Sequence, residues 1–134
     1  MFIHHTPAGI RPPFANYSFG VEVPPGARLL FCSGQLGITP DDIIPESAEE
    51  QAALCFRAIG LVLASAAMGF GDLVRLNAYV TSPDHLQAYM QVRDRHITSP
   101  PPASTLMIVS GFANPAFKVE IEAVAASMTT RKDR

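Results

Sequence analysis

Hydrophobic and polar residues alternate along two long segments of the chain, a pattern typical of strands with one buried face. The segments run over residues 72–81 and 117–127. The side chains expected on their buried faces are Val74, Leu76, Ala78 and Val80 in the first, and Val119, Ile121, Ala123 and Ala125 in the second. The opposite face of the same sheet would then carry Asn77 or Tyr79 together with Glu120 and Glu122.

Four shorter segments also have strand character, at residues 2–5, 17–23, 28–33 and 104–110. The turn sequence Pro24-Pro25-Gly26-Ala27 separates the second of these segments from the third. Because a short proline- and glycine-rich turn between two strand patterns is typical of a hairpin, we predict that these two segments pair with each other.

Two amphipathic helices are predicted between the strands. Ser47 and Glu50 have the spacing of a capping box, and Gly69 stands where a left-handed helix cap is expected. The apolar residues that follow at three- and four-residue steps are Ala52, Cys55, Phe56, Ile59, Val62, Leu63 and Ala66. A second helix starts at Ser82-Pro83 and ends before the prolines at 100–102. Its expected core side carries Leu86, Tyr89, Met90, Arg93 and Ile97.

The element order is therefore β-β-β-α-β-α-β-β, which predicts an α+β fold in one domain over residues 1–134, frayed at 129–134. Two helices are too few to cover both faces of a mixed sheet of about six strands, so we expect them to pack on one face. The other face, with its aromatic and carboxylate side chains, is neither a monomer's core nor ordinary free surface. Contact with another subunit resolves this conflict.

Composition supports an oligomer and excludes several partners. Hydrophobic residues make up 48% of the chain and charged residues 16%, against roughly 25% charged in an average soluble protein. A net charge of −2 without a basic patch argues against nucleic acid, and no apolar run is long enough to span a bilayer. We expect no signal peptide, two free thiols at Cys32 and Cys55, and a cytoplasmic location.

Several motifs, in matching order and spacing, resemble one family. They are Asn16-Tyr17-Ser18, the Ser-Gly-Gln signature within residues 31–37, the strand over 71–81, Pro102-Ala103, and the strand over 119–125. The chain is thereby similar to the RidA/YjgF/UK114 family of reactive-intermediate deaminases, some of which are also called endoribonuclease L-PSP. This resemblance implies a chorismate-mutase-like subunit that assembles into a homotrimer with clefts between neighbouring copies.

The resemblance also implies hydrolysis of small enamines and imines without a metal or an organic cofactor. Glu120 would orient and deprotonate the attacking water, Tyr17 and Ser33 would line the cleft, and the backbone at Thr105 and Leu106 would hydrogen-bond the substrate. One position departs from the pattern: Ser104 stands where deaminase members carry an arginine that binds the substrate carboxylate. The resemblance therefore predicts an atypical substrate, bound in part at Ser104.

The residues themselves leave alternatives open. Glu120 is a base, the partner of Lys118 or a residue on solvated surface. Glu122 is expected to be structural, in an ion pair with Arg75 or Arg28. Cys32 has the surroundings of a buried hydrophobe more than those of a nucleophile. His4 and His5 point to opposite faces of a strand and lack a third ligand, so we expect no zinc site.

Arg93 lies on an apolar helix stripe. It either extends its charged head to solvent or supplies a positive charge to a neighbour's cleft, and Arg75 and Arg28 are the alternative sources of that charge. Two functions remain: a hydrolase of an enamine, imine or related metabolite, and a non-catalytic trimer that binds a small molecule or has a regulatory role in the same clefts.

Overall fold

The order of the strands and helices follows the predicted one. In the computed structural model, which describes residues 2–130, the strands are β1 (Ile3–His5), β2 (Gly20–Glu22), β3 (Arg28–Leu36), β4 (Leu73–Val80), β5 (Ala103–Ile108) and β6 (Val119–Ser127). The helices are α1 (Ala48–Ser65) and α2 (Leu86–Asp94), each joined to β4 through a short 3-10 turn, at Phe70–Asp72 and Pro83–His85. The α+β class is confirmed.

The strands form a four-stranded mixed sheet in the order β3-β6-β4-β5 and a two-stranded sheet of β1 and β2. Among the strands that the structure describes, β4 and β5 form the parallel pair, and the other paired strands are antiparallel. The predicted hairpin between residues 17–23 and 28–33 is wrong, because β2 pairs with β1 and β3 pairs with β6. The nine-residue β6 offers β3 a much longer ladder than the three-residue β2 does, and this long-range pairing outweighs the local turn signal.

The segment before β2 extends the sheet at its β5 edge. Ser18 forms a parallel bridge with Ala103, its N–H donates to the Pro102 carbonyl at 3.0 Å, and its hydroxyl donates to the Pro101 carbonyl at 2.6 Å. These contacts hold residues 14–18 against the outer edge of β5. This segment therefore forms a wall beside the start of β5.

Both helices pack on the same face of the four-stranded sheet, as predicted. The side chains of α1 that are fully buried against the sheet are Gln51, Ala52, Cys55, Phe56, Ile59 and Leu63. The Phe56 ring stacks on Tyr89 of α2, with ring centroids 6.3 Å apart. The pattern missed Val92, which is fully buried beside Tyr89. Along β6, the buried face carries the alternating residues predicted for it.

The start of α1 is confirmed and its predicted end is not. The Ser47 hydroxyl accepts a hydrogen bond from the Glu50 N–H at 3.0 Å. The left-handed residue after the helix is Ala67, with φ of 57°, whereas Gly69 is extended and precedes the next 3-10 turn. The helix ends two residues earlier than expected, because the N–H groups of Ala66 and Ala67 donate hydrogen bonds to carbonyls of its last turn.

Two smaller corrections concern β4 and the C-terminus. The ladder between β4 and β6 shifts register between Leu73 and Arg75, so Leu73 enters the core and Val74 is only half-buried. Of the tail predicted to fray, residues 131–134 lie outside the described residues. Thr129 is held in place: its carbonyl accepts from Arg28, and its side chain hydrogen-bonds to the Ser127 hydroxyl at 2.8 Å.

Candidate functional site

The Ser-Gly-Gln motif lies at an irregularity in the sheet. Pairing between β3 and β6 shifts register between Cys32 and Gln35, so Ser33 and Gly34 form a bulge opposite Glu122 of β6. The Glu120 side chain lies over this bulge. A β-carbon added to Gly34 would stand only 2.5 Å from Glu120 Oε2 and 2.8 Å from its Cδ. The motif therefore needs glycine because the carboxylate occupies the space of a side chain.

The sheet face away from the helices carries a hydrogen-bonded polar cluster. The Tyr79 hydroxyl donates to Glu122 Oε1 at 2.6 Å, and Asn77 Nδ2 donates to the same oxygen at 3.3 Å. The bond to the Glu122 carboxylate is the main cause that raises the pKa of Tyr79, because it stabilises the protonated phenol. Tyr79 also lies opposite Glu120 in the ladder, so both predicted carboxylates share this open face.

The ion pair predicted for Glu122 is wrong. Arg75 donates to Thr105 Oγ1 at 2.9 Å, and Arg28 donates to the Ala66 carbonyl at 2.9 Å and to Thr129. Both arginines hold chain segments together, and Glu122 instead accepts from the neutral donors of Tyr79 and Asn77. Sequence spacing gave no means of choosing a phenol over a guanidinium as its partner.

A cavity of about 470 Å³ lies between β5, α2 and the segment before β2. Four residues predicted to bind substrate line it together: Tyr17, Ser104, Thr105 and Leu106. The other lining residues are Phe14, Ala15, Leu86, Met90 and Arg93. Its volume lies in the range of small-molecule sites, and its walls are mostly apolar with a few polar groups, as such sites usually are.

Glu120 and Ser33 are not among the residues that line this cavity. Ser104 pairs in the sheet with the buried Leu76, on the face that α1 and α2 cover. Glu120 pairs with Tyr79, on the open face. Since paired residues in a sheet point to the same side, the carboxylate and the cavity belong to opposite faces of one chain.

Five of the nine residues that line the cavity were not predicted as site residues, and two of these five, Arg93 and Phe14, make contacts with a charged group. Arg93 is only 4% exposed and contacts Asp94 Oδ1 at 3.0 Å. Phe14 is 81% exposed at the cavity rim, with the Arg11 guanidinium 3.9 Å from its ring centroid. An arginine on an apolar helix stripe was the signal for the first. No sequence pattern marked the second.

The two cysteines are free and buried, as predicted. Burial raises the pKa of the Cys55 thiol to about 12, with a smaller contribution from the Glu120 charge, and burial also raises the pKa of Cys32. Neutral thiols are poor nucleophiles, so both side chains act as small hydrophobes. Over residues 2–130, no three His, Cys, Asp or Glu side chains are grouped to hold a metal ion. His5 instead pairs with Glu22 at 3.0 Å.

Comparison with known proteins assigns the family. The family model described as Endoribonuclease L-PSP matches residues 9–127. The chain belongs to this family, which is the Rid/YjgF family. The mitochondrial protein mmf2 of Schizosaccharomyces pombe is 30% identical over 100 residues, which cover 73% of this chain and 79% of mmf2. The Escherichia coli RutC family protein YjgH is 28% identical, over 86% of this chain and 88% of YjgH.

The solved structures of other Rid proteins confirm the fold. The Rid-family protein YyfB of Yersinia pestis superposes with a TM-score of 0.82 at 27% identity, over 94% of this chain and 98% of YyfB. RidA of an Antarctic Psychrobacter gives a TM-score of 0.70 at 25% identity, over 86% of this chain and 91% of that one. None of the described helices is long and apolar enough to cross a membrane.

Proposed function

We propose that this Rid-family protein hydrolyses a small enamine, imine or related metabolite in the cavity at β5. Water adds to the carbon of the C=N bond and gives up a proton, the C–N bond then breaks, and the products are a carbonyl compound and ammonia. An imine carbon is already electrophilic, so positioning the water and accepting its proton are the main tasks of the protein. The observation that supports the proposal is the cavity, which gathers Tyr17, Ser104, Thr105 and Leu106.

The edge position of β5 suits it to binding a substrate. Among the strands that the structure describes, β5 is the last of the four-stranded sheet, and β4 is its partner on the inner side. Its outer backbone groups beyond the Ser18–Ala103 bridge are therefore available at the cavity wall. Backbone N–H and C=O groups at Thr105 and Leu106 would fix the polar end of a substrate against the apolar walls.

Ser104 is expected to change the choice of substrate relative to other Rid proteins. An arginine at this position would bind a carboxylate through two charge-assisted hydrogen bonds, and a serine hydroxyl has no charge to replace them. Loss of one such interaction costs on the order of 1.5–3 kcal/mol, or roughly ten- to a hundredfold in affinity. Imines whose carboxylate would have to be bound from β5 are therefore expected to be poor substrates of the parent protein.

The proposal includes assembly into a homotrimer, because Glu120 and the cavity belong to opposite faces of one chain. A neighbouring copy would bring its Glu120 and Ser33 to the open side of the cavity. The exposed apolar side chains Leu29, Phe31 and Met107 on the β3 and β5 edges of the sheet favour such a contact. Sedimentation should then give about 43 kDa, for three copies of 14.4 kDa. A single well-behaved 14.4-kDa species would contradict the shared site.

The reaction is tested by ammonia release from 2-aminoacrylate generated in situ. We expect slow turnover by the parent, faster turnover by Ser104→Arg, and a loss of at least about a hundredfold in Glu120→Gln. Glu122→Gln is the matched control, since it lies on the same strand and face, and it should retain most of the activity. If neither the parent nor Ser104→Arg exceeds the rate in buffer, the hydrolase proposal fails.

One observation favours a second function. Because Glu120 does not share a face with the cavity in one chain, the cavity by itself is a binding site without a base. A regulatory or ligand-binding trimer would show saturable binding of a small molecule with no turnover, and Glu120→Gln would leave that binding unchanged.

The proposal also places the protein in the cytoplasm, which two unpaired cysteines support. The mitochondrial relative makes cell fractionation the test of that point.

A further inference from the structure

Arg93 brings a buried positive charge to the wall of the β5 cavity. It lies near the C-terminal end of α2, and its side chain is only 5% exposed. A snorkelling arginine keeps its guanidinium in water, and this one does not. Among the residues that line the cavity, Arg93 is the one with a charged side chain, and none of them is acidic.

The guanidinium is only partly satisfied by its own neighbour. Its Nε and Nη2 both contact a single oxygen, Asp94 Oδ1, at 3.0 Å. A guanidinium carries five N–H donors, so in the described part of the chain Asp94 uses only some of them. The Asp94 side chain is itself 51% exposed, and water weakens its hold on the arginine. The central carbon of the guanidinium also lies 5.8 Å from the centroid of the Tyr89 ring, and this aromatic contact does not neutralise the charge. Arg93 therefore keeps its charge, and the N–H donors that Asp94 and Tyr89 do not engage, for a ligand in the cavity.

The remaining lining residues, on α2 as well as on β5 and the segment before β2, have the opposite chemistry. Leu86, Met90 and Leu106 provide apolar walls, and the Tyr17 and Ser104 hydroxyls are uncharged. At the rim, Phe14 carries a second cation, Arg11, over its ring. A ligand that fits these surroundings is a small molecule with an apolar body and one negative group.

We propose that Arg93 is the residue that binds the carboxylate of this protein's ligand, from the helix wall of the cavity opposite Ser104. The substrate class is then a small apolar carboxylic acid whose anionic end contacts α2 and not β5. This inference rests on the proposed function for the identity of the site, but it concerns binding and does not require turnover.

The test measures binding of 4-methyl-2-oxopentanoate and of its neutral amide by calorimetry at pH 7. We expect the parent to bind the acid at least about tenfold more tightly than the amide, because one charge-assisted contact has that effect. Arg93→Met should remove this preference, and Arg93→Lys should retain part of it. Arg95→Met is the matched control, since Arg95 is 60% exposed and pairs with Glu49, and it should bind like the parent.

Asp94→Asn provides a second variant if Arg93→Met does not fold. It removes the exposed carboxylate that competes for the guanidinium, so we expect acid affinity to rise severalfold while amide affinity stays constant. The inference is overturned if the parent binds the acid and the amide equally or binds no acid. It is also overturned if Arg93→Met and Arg95→Met show the same preference for the acid, or if Asp94→Asn does not bind the acid more tightly than the parent.

The two proposals fail separately. Arg93-dependent binding without ammonia release keeps the inference and rejects the hydrolase. Ammonia release with a KM that Arg93→Met leaves unchanged keeps the hydrolase and rejects the inference.

Discussion

The close approach of Glu120 to Gly34 predicts that one added methyl group will displace the proposed base. An alanine β-carbon at residue 34 would lie 2.5 Å from Glu120 Oε2, whereas ordinary contacts begin at 3.4 Å. The carboxylate must therefore move by about 0.9 Å. The obstructing atoms belong to the end of a flexible side chain, so the backbone of the bulge need not change.

Stability and activity should respond very differently to Gly34→Ala. Replacing a strand glycine gains about 0.5–1 kcal/mol, and forcing Glu120 out of its preferred rotamer costs a similar amount. The free energy of unfolding should thus change by less than about 1 kcal/mol. A displacement near 1 Å of a catalytic group typically costs about a hundredfold in rate. We expect that loss in ammonia release.

A double-mutant cycle tests the geometry without any need for activity. In a Glu120→Ala background the obstruction is gone, so Gly34→Ala should then stabilise the protein by about 0.5–1 kcal/mol in urea unfolding. Gly69→Ala is the matched control, because an added β-carbon there meets nothing within 4 Å. Equal effects of Gly34→Ala in both backgrounds, or unaltered ammonia release from the single variant, would refute the placement of Glu120 over the bulge.

Three further predictions concern the frame of the site. Gln51→Ala removes an amide that bonds Pro45, Ala116 and Lys118, and should lower the free energy of unfolding in urea by about 3–5 kcal/mol, whereas the exposed Gln91→Ala should have little effect. The folded pKa of Cys55, about 12, lies above the thiol's ordinary 9.0, so the stabilisation is complete below pH 9 and is lost as the pH rises toward 12. Between pH 8 and 10 the parent should lose about 1.4 kcal/mol more than Cys55→Ala, and equal losses would contradict the buried thiol. Phe31→Glu, at an exposed sheet position, should dissociate the proposed trimer in sedimentation, while Leu61→Glu on the outer side of α1 should leave it intact.

Local patterns predicted the elements well because each reports the surroundings of its own residues. The alternation in β6 assigned both its core face and the open face that carries Glu120. Pairing partners are a property of distant segments, and there the sequence was misleading. The turn at residues 24–27 predicted a hairpin, but the ladder between β3 and β6 joins segments almost a hundred residues apart.

The site shows the same division. Motif resemblance named Tyr17 and Ser104, and the structure does bring them to one cavity. It did not separate them from Glu120. The alternation in β6 placed Glu120 on the open face, but the face that Ser104 occupies depends on the register of β5 against β4, which only the assembled sheet defines. It also left Arg93 undecided, since an arginine on an apolar stripe is compatible with an exposed or a buried head group.

The separation of Glu120 from the cavity has a physical consequence for how activity must depend on protein concentration. If the base of one copy serves the cavity of another, dilution below the dissociation constant of the oligomer should abolish turnover while each chain stays folded. Binding of a carboxylate at Arg93 involves residues of one chain, so it should survive the same dilution. Turnover that stays proportional to protein concentration down to the monomeric range would show that Glu120 reaches its own chain's cavity, against the strand register found here.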